Sequence, residues 1–256
     1  MIKLFRGMRQ RLLSQNPSAG NGQGSKISKY LLYALGEILL VVIGIMIALQ
    51  INNANEARKQ YETANILANS LVQDLQKDVE FLYNGIEFSK QKMASCDVLL
   101  GVLSKPIGDI DPSEFYENMN IVGQSNPFFP TDGTYQQIIT SGTLKIFDQS
   151  LANKLNAYDM HTNKTLYWTD VEDKTLWLMA EILWTGINIQ ALGEIRFDLP
   201  IQQERYIKIR EEEVDEFSNY IAATKTYRQK ILMEYNQQLE MAEDLIETLK
   251  SDHHLD

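Results

Sequence analysis

The run from Tyr30 to Ile51, YLLYALGEILLVVIGIMIALQI, constrains this chain more than any other stretch. Glu37 is its one charged side chain, and nearly everything else is Leu, Ile, Val, Ala, Gly or Met. About 20 apolar residues, rising ~1.5 Å each in a helix, cover the ~30 Å hydrocarbon core of a bilayer. The run is therefore read as a transmembrane helix over 30–51. A cleaved signal has a shorter apolar core of about 7–15 residues and a small-x-small cleavage site. Gln50 to Asn55 offers no such site, so the segment is expected to stay as an uncleaved anchor.

Charge sets the direction of that anchor. Lys3, Arg6, Arg9, Arg11, Lys26 and Lys29 precede the apolar run without a single acid. After Ile51 there are 18 Lys and Arg against 33 Asp and Glu. Short basic flanks stay in the cytoplasm. Residues 1–29 are thus expected inside as a basic tail and linker, with 52–256 outside as one acidic domain. So acidic a domain is a poor match for nucleic acid, whose phosphates demand Lys and Arg. Cys96 is the only cysteine and has no intrachain partner for a disulfide.

Taken in order, Ile2, Phe5, Met8 and Leu12 have helical spacing among arginines, which suits a short amphipathic helix at the headgroup layer. Ser14 to Ser25 reads as a flexible linker. Within the membrane run, Ala34, Glu37, Val41, Gly44 and Ala48 recur at steps of three and four on one face. Small residues there let helices approach closely, making this face a candidate helix–helix contact. A charge at Glu37 is costly, so its two readings are a neutral group bonded to a partner helix or a group that handles protons.

Beyond Asn52 nothing breaks the helix before Lys105, and Leu67, Leu71, Leu75, Leu82 and Ile86 form an apolar stripe continued by Val98, Leu99, Val102 and Leu103. Gly85 interrupts it and is read as a close packing contact. Residues 105–133 hold four of the six prolines and should be irregular, apart from a short helix started by Asp111-Pro112. Asn126, Phe128 and Phe129 lie in a tight aromatic loop, either a partner-binding tip or a plug for the bundle. Thr134–Ser141 reads as a short helix ended by Gly142, and Asp148 as the cap of a long helix to about Ile189. A connector with a short strand is expected over 190–203. A last helix from about Glu204 carries Val214, Phe217, Ile221, Thr224, Ile231, Tyr235, Ala242, Leu245 and Leu249 at heptad spacing. The tail from Ser251 should fray. The fold class is thus all-α: a transmembrane helix continuing into an elongated antiparallel helical bundle.

The segment Tyr30–Arg58, with Gly36-Glu37-Ile38 and Ala48-Leu49-Gln50-Ile51-Asn52-Asn53, resembles the N-terminal signature of a family of uncharacterised single-pass membrane proteins known mainly from Bacteroidota. Relatives usually carry Trp where this chain has Ala54. The resemblance implies a bacterial inner-membrane protein with its C-terminal domain in the periplasm, and it implies no chemistry.

No catalytic or cofactor motif emerges from the residues themselves. His161, His253 and His254 form no set with metal-ligand spacing, and no Gly-rich phosphate loop follows a strand. The chain is read as a non-enzyme that needs no cofactor or metal. Its expected partners are the bilayer and other membrane or periplasmic proteins, a second copy of itself among them. A scaffold or binding subunit of an envelope complex is the leading function. The alternatives are a sensor-like domain signalling through a partner and a stator-like accessory subunit using Glu37.

Overall fold

The computed structural model describes residues 23–255, with side-chain surroundings from Leu31 onward. The amphipathic segment expected over Ile2–Leu13 and most of the expected linker lie outside the described residues. Six α-helices are present among the described residues: α1 Gln23–Leu103, α2 Pro112–Val122, α3 Gly133–Ser141, α4 Gln149–Gly186, α5 Ile189–Arg196 and α6 Glu211–His253. Among those residues there is no strand, and one antiparallel bridge joins Ile187 to Ile207.

The chain divides into two units, residues 1–59 and 60–256. In the first, every described side chain from Leu31 to Lys59 is exposed, and α1 holds an 18-residue window of mean hydropathy 2.5. It is long and apolar enough to cross a membrane.

The second unit is a bundle of four legs running up, down, up and down. α1 supplies the first leg from Ala64 upward. The second descends along it. Phe115 and Met119 of α2 pack beside Leu99 and Val102, Phe128 reaches Phe81 and Leu82, and the Thr134 hydroxyl donates to Asp74. This leg is helical only at its ends, because Pro127 and Pro130 deny its middle the backbone donors of a helix. α4 rises parallel to α1, with Tyr158 at Asp78 and Glu172 at Lys92. α6 descends, with Lys225 at Asp97 and His253 at Asn65.

Local chemistry sets the element ends. Asp111 accepts from the Ser113 N–H and Asp148 from the Leu151 N–H, each satisfying an orphan donor of the first turn. Gly142 ends α3 at φ 66°, the left-handed conformation that glycine adopts without strain. Gly85 meets the ring of Tyr235 so closely that a Cβ would sit 2.6 Å from Cε2, so the glycine is a packing contact.

Several expectations need correction. α1 begins at Gln23, so the linker ends sooner than Ser25. Val98 is exposed, unlike its neighbours in the stripe. The connector after α4 holds a helix, α5, whose cap Asn188 accepts from the Gln190 and Ala191 N–H groups. α6 starts at Glu211 rather than near Glu204, because the preceding backbone is already engaged: the Lys208 N–H donates to Gly186 O at 2.6 Å, and Tyr206 O accepts from the Tyr116 hydroxyl. The C-terminal helix holds through His253, whose Nδ1 lies 2.7 Å from Asn65 Oδ1 and whose ring meets Phe147 edge-on.

Candidate functional site

Buried positions on the three long legs alternate at steps of three and four: 64, 68, 71, 75, 78, 82 and onward in α1, and 217, 221, 224, 228, 231, 235, 238 and 242 in α6. Polar residues occupy some of these positions, and they form two layers that separate three apolar clusters.

The upper layer is ionic. Glu172 of α4 sits between two cations, all three fully buried. Arg228 Nε donates to Glu172 Oε1 at 2.8 Å and Nη2 donates to Oε2, a bidentate pairing. Lys92 Nζ lies 3.3 Å from Glu172 and donates to the carbonyl of Gln124 at 2.6 Å. Burial lowers the Lys92 ammonium to about 8; Glu172 opposes the shift and Arg228 adds to it. Both cations lie over the Phe88 ring, at 5.6 Å for Arg228 and 6.0 Å for Lys92. Cys96, one turn above Lys92, is pushed up to about 12 by burial, which leaves it an unreactive thiol.

The lower layer is uncharged in its centre and acidic at its edge. Gln238 donates to the Thr162 hydroxyl at 2.8 Å and accepts from the Thr165 hydroxyl at 2.9 Å. Asp78 accepts from the Thr131 N–H and the Tyr158 hydroxyl, each at 2.8 Å. Burial raises the Asp78 carboxyl despite those two donors, and Asp74 adds to the rise. Burial also raises the Tyr158 phenol, with Asp78 adding to it. A cavity of about 230 Å³ adjoins this layer, with Leu71, Leu75 and Leu155 in its wall and Asp74, Asp132 and Asp159 among its polar lining. Asp74 and Asp78 hold the 131–134 loop against α1, which is structural work. Close by, Glu234 is kept below the usual carboxylate range: burial works against this, but Lys230 at 2.6 Å and Lys164 at 2.9 Å outweigh it.

Ala34, Glu37, Val41, Gly44 and Ala48 all lie on the exposed part of α1, at steps that share one face. Around Gly44 a Cβ would meet nothing within 4 Å. The aromatic loop divides. Phe128 is fully buried among Leu82, Ile231 and Tyr235 in the middle of the bundle, Phe129 is exposed, and the Asn126 carbonyl accepts from the Tyr235 hydroxyl. His161 faces the Glu234 carbonyl at 3.0 Å. Among the described residues no group of three His, Cys, Asp or Glu side chains is placed to hold a metal.

Apart from Thr224, the buried polar residues in and beside these layers lie outside the stripes read from the sequence, which are almost wholly apolar. The signal was present: Arg228 and Gln238 fill the two gaps in the α6 heptad, and Asp78 and Lys92 continue the α1 series.

No curated protein and no solved structure matches this chain. A model of a family of unknown function (DUF6090) matches residues 37–184. That match runs from Glu37 in the apolar stretch to Trp184 near the end of α4, more than half of the 256 residues, and on that span the protein belongs to the DUF6090 family of unknown function.

Proposed function

We propose that this protein is a membrane-anchored, non-enzymatic helical subunit that works by binding other proteins in the cell envelope, with its bundle outside the cytoplasm. One contrast carries this reading. From Leu31 to Ile51 the described side chains are all exposed and, Glu37 and Gln50 apart, apolar, a surface that water does not tolerate, whereas from Ala64 onward the same helix buries a regular stripe. The basic residues before the apolar run and the acidic excess after it favour an inward N-terminus. The non-enzymatic part of the reading is supported by the engagement of the deep polar groups: Asp78 holds the loop at Thr131, Glu172 holds Arg228 of α6, and Glu234 holds Lys164 of α4.

Membranes washed with alkaline carbonate test the anchor. The full chain should remain in the pellet, and a chain lacking 31–51 should be released. A full chain that washes off would refute the reading. Glu37 offers a further discrimination, since it is the sole charge within the apolar run. Glu37→Gln keeps a hydrogen-bonding side chain and should preserve assembly with partners in mild detergent. Lost activity of an otherwise intact assembly would point instead to proton handling.

A further inference from the structure

A second cavity, a cleft of about 160 Å³, opens between α2, α4 and α5. Its floor is buried core: Met119, Met179, Leu183 and Leu192. Trp184 and Ile189, 59% and 42% exposed, stand at its rim. Its one charged lining residue is Arg196, the last residue of α5, and no acid lines it. The cavity beside Asp78, by contrast, is lined by several acids.

Local structure sets the Arg196 guanidinium in place. Nε donates to Asn120 Oδ1 and Nη2 to the Asn120 carbonyl, both at 3.2 Å, so Arg196 caps the last turn of α2. Gly123 leaves room for it: a Cβ there would lie 3.2 Å from Nη2 and 3.1 Å from the Met119 carbonyl. A helix C-terminus carries only about half a negative charge, so the cap offsets part of the guanidinium's charge. Among the described residues no carboxylate pairs with Arg196, and Nη1 has no hydrogen-bond acceptor. Burial alone acts on its pKa, lowering it, and no acid opposes the shift.

The chemistry of an occupant follows from size and charge. An apolar cavity of ~150 Å³ takes a group the size of benzene, about six heavy atoms. A guanidinium matches a carboxylate with two parallel N–H···O bonds, and Nη1 with the second hydrogen of Nη2 is left for that pairing. A peptide would bring amide N–H and C=O groups as well, and the apolar walls offer them no partners. We propose that this cleft binds a small free monocarboxylate, its carboxylate on Arg196 and a hydrocarbon body of about six atoms against Met179 and Leu183. The cleft lies wholly within residues 60–256, so the site goes beyond the anchor reading and stands apart from it.

The experiment places the full chain in lipid nanodiscs and dialyses it to equilibrium against labelled hexanoate, with empty discs as the blank. Saturable binding of one hexanoate per chain is expected. Hexanamide has the same shape without the charge and should bind about tenfold more weakly, the size of one lost charge-assisted bond. Arg196→Gln keeps a donor for Asn120 and should weaken hexanoate by a similar factor. Ala180→Leu puts a larger side chain into the cleft and should abolish binding with the thermal melt unchanged. Where Arg196→Gln melts early, Ala180→Leu and the hexanamide comparison still decide. No saturable binding, equal binding of hexanamide, or binding indifferent to Ala180→Leu would each overturn the site. Displacement of hexanoate by N-acetylleucine at a lower concentration than by unlabelled hexanoate would overturn the free acid in favour of a protein C-terminus.

Discussion

Glu172 is the residue on which the middle of the bundle depends. Among the described residues it is the only carboxylate shared by Lys92 and Arg228, so Glu172→Gln leaves two buried cations without a counter-charge. Breaking a buried ion pair from one side costs about 3–5 kcal/mol. Lys92→Met keeps the bidentate Arg228–Glu172 pair and loses mainly the bond to Gln124 O, a cost of about 1–2 kcal/mol. Denaturant melts of the two variants should rank in that order; equal losses would mean that the layer is not an electrostatic unit. Lys92 also makes stability depend on pH. Its ammonium titrates at about 8 in the fold against 10.5 unfolded, so between those values the unfolded chain holds a proton the native chain has released. Stability therefore rises with pH through that window. Cys96 acts oppositely: its thiol titrates at about 12 in the fold against 9.0 unfolded, so its contribution falls away above pH 9. Tyr235, raised by burial to about 12 from 10.0, adds to that fall. The wild-type chain should gain stability between pH 8 and 9. In Lys92→Met that gain should vanish, as parallel melts at the two pH values would show.

Two glycines of α1 should respond to alanine with opposite signs. Gly85→Ala gains helix propensity but drives a methyl into the Tyr235 ring, and overpacking costs about 1–3 kcal/mol. Gly101 lies exposed in the same helix with nothing within 4 Å of a Cβ, so Gly101→Ala should stabilise by about 0.5–1 kcal/mol. Thermal melts shifting the same way for both would show that propensity alone governs this helix. The difference between local and distant information also explains what was legible in the sequence. Asp111, Gly142 and Asp148 announce helix ends because their side chains or backbones act on atoms within a turn. Pro127 and Pro130 likewise mark where the second leg cannot be helical. The start of α6 was hidden, since residues 204–210 are held by groups distant in sequence such as Tyr116 and Gly186. The ionic layer was hidden for the same reason. Arg228 marks a core-facing position on its own helix, but its partner Glu172 lies 56 residues away, so the pairing itself cannot be read locally.

At the scale of the whole molecule, an apolar helical stretch exposed along its length and a bundle with its own closed core call for different surroundings. Residues 60–256 hold all three apolar clusters, so this unit expressed alone should be soluble and dominated by helical circular dichroism. A sheet-like spectrum would contradict the bundle. The central claim, an anchor with its bundle outside the cytoplasm, is tested most directly by paired reporters fused after Asp256 in the full chain. One reporter is a phosphatase active only outside the cytoplasm, and the other is a fluorescent protein that folds only inside. Phosphatase activity without fluorescence is the predicted result. Fluorescence without phosphatase activity would place the acidic bundle inside and contradict the account.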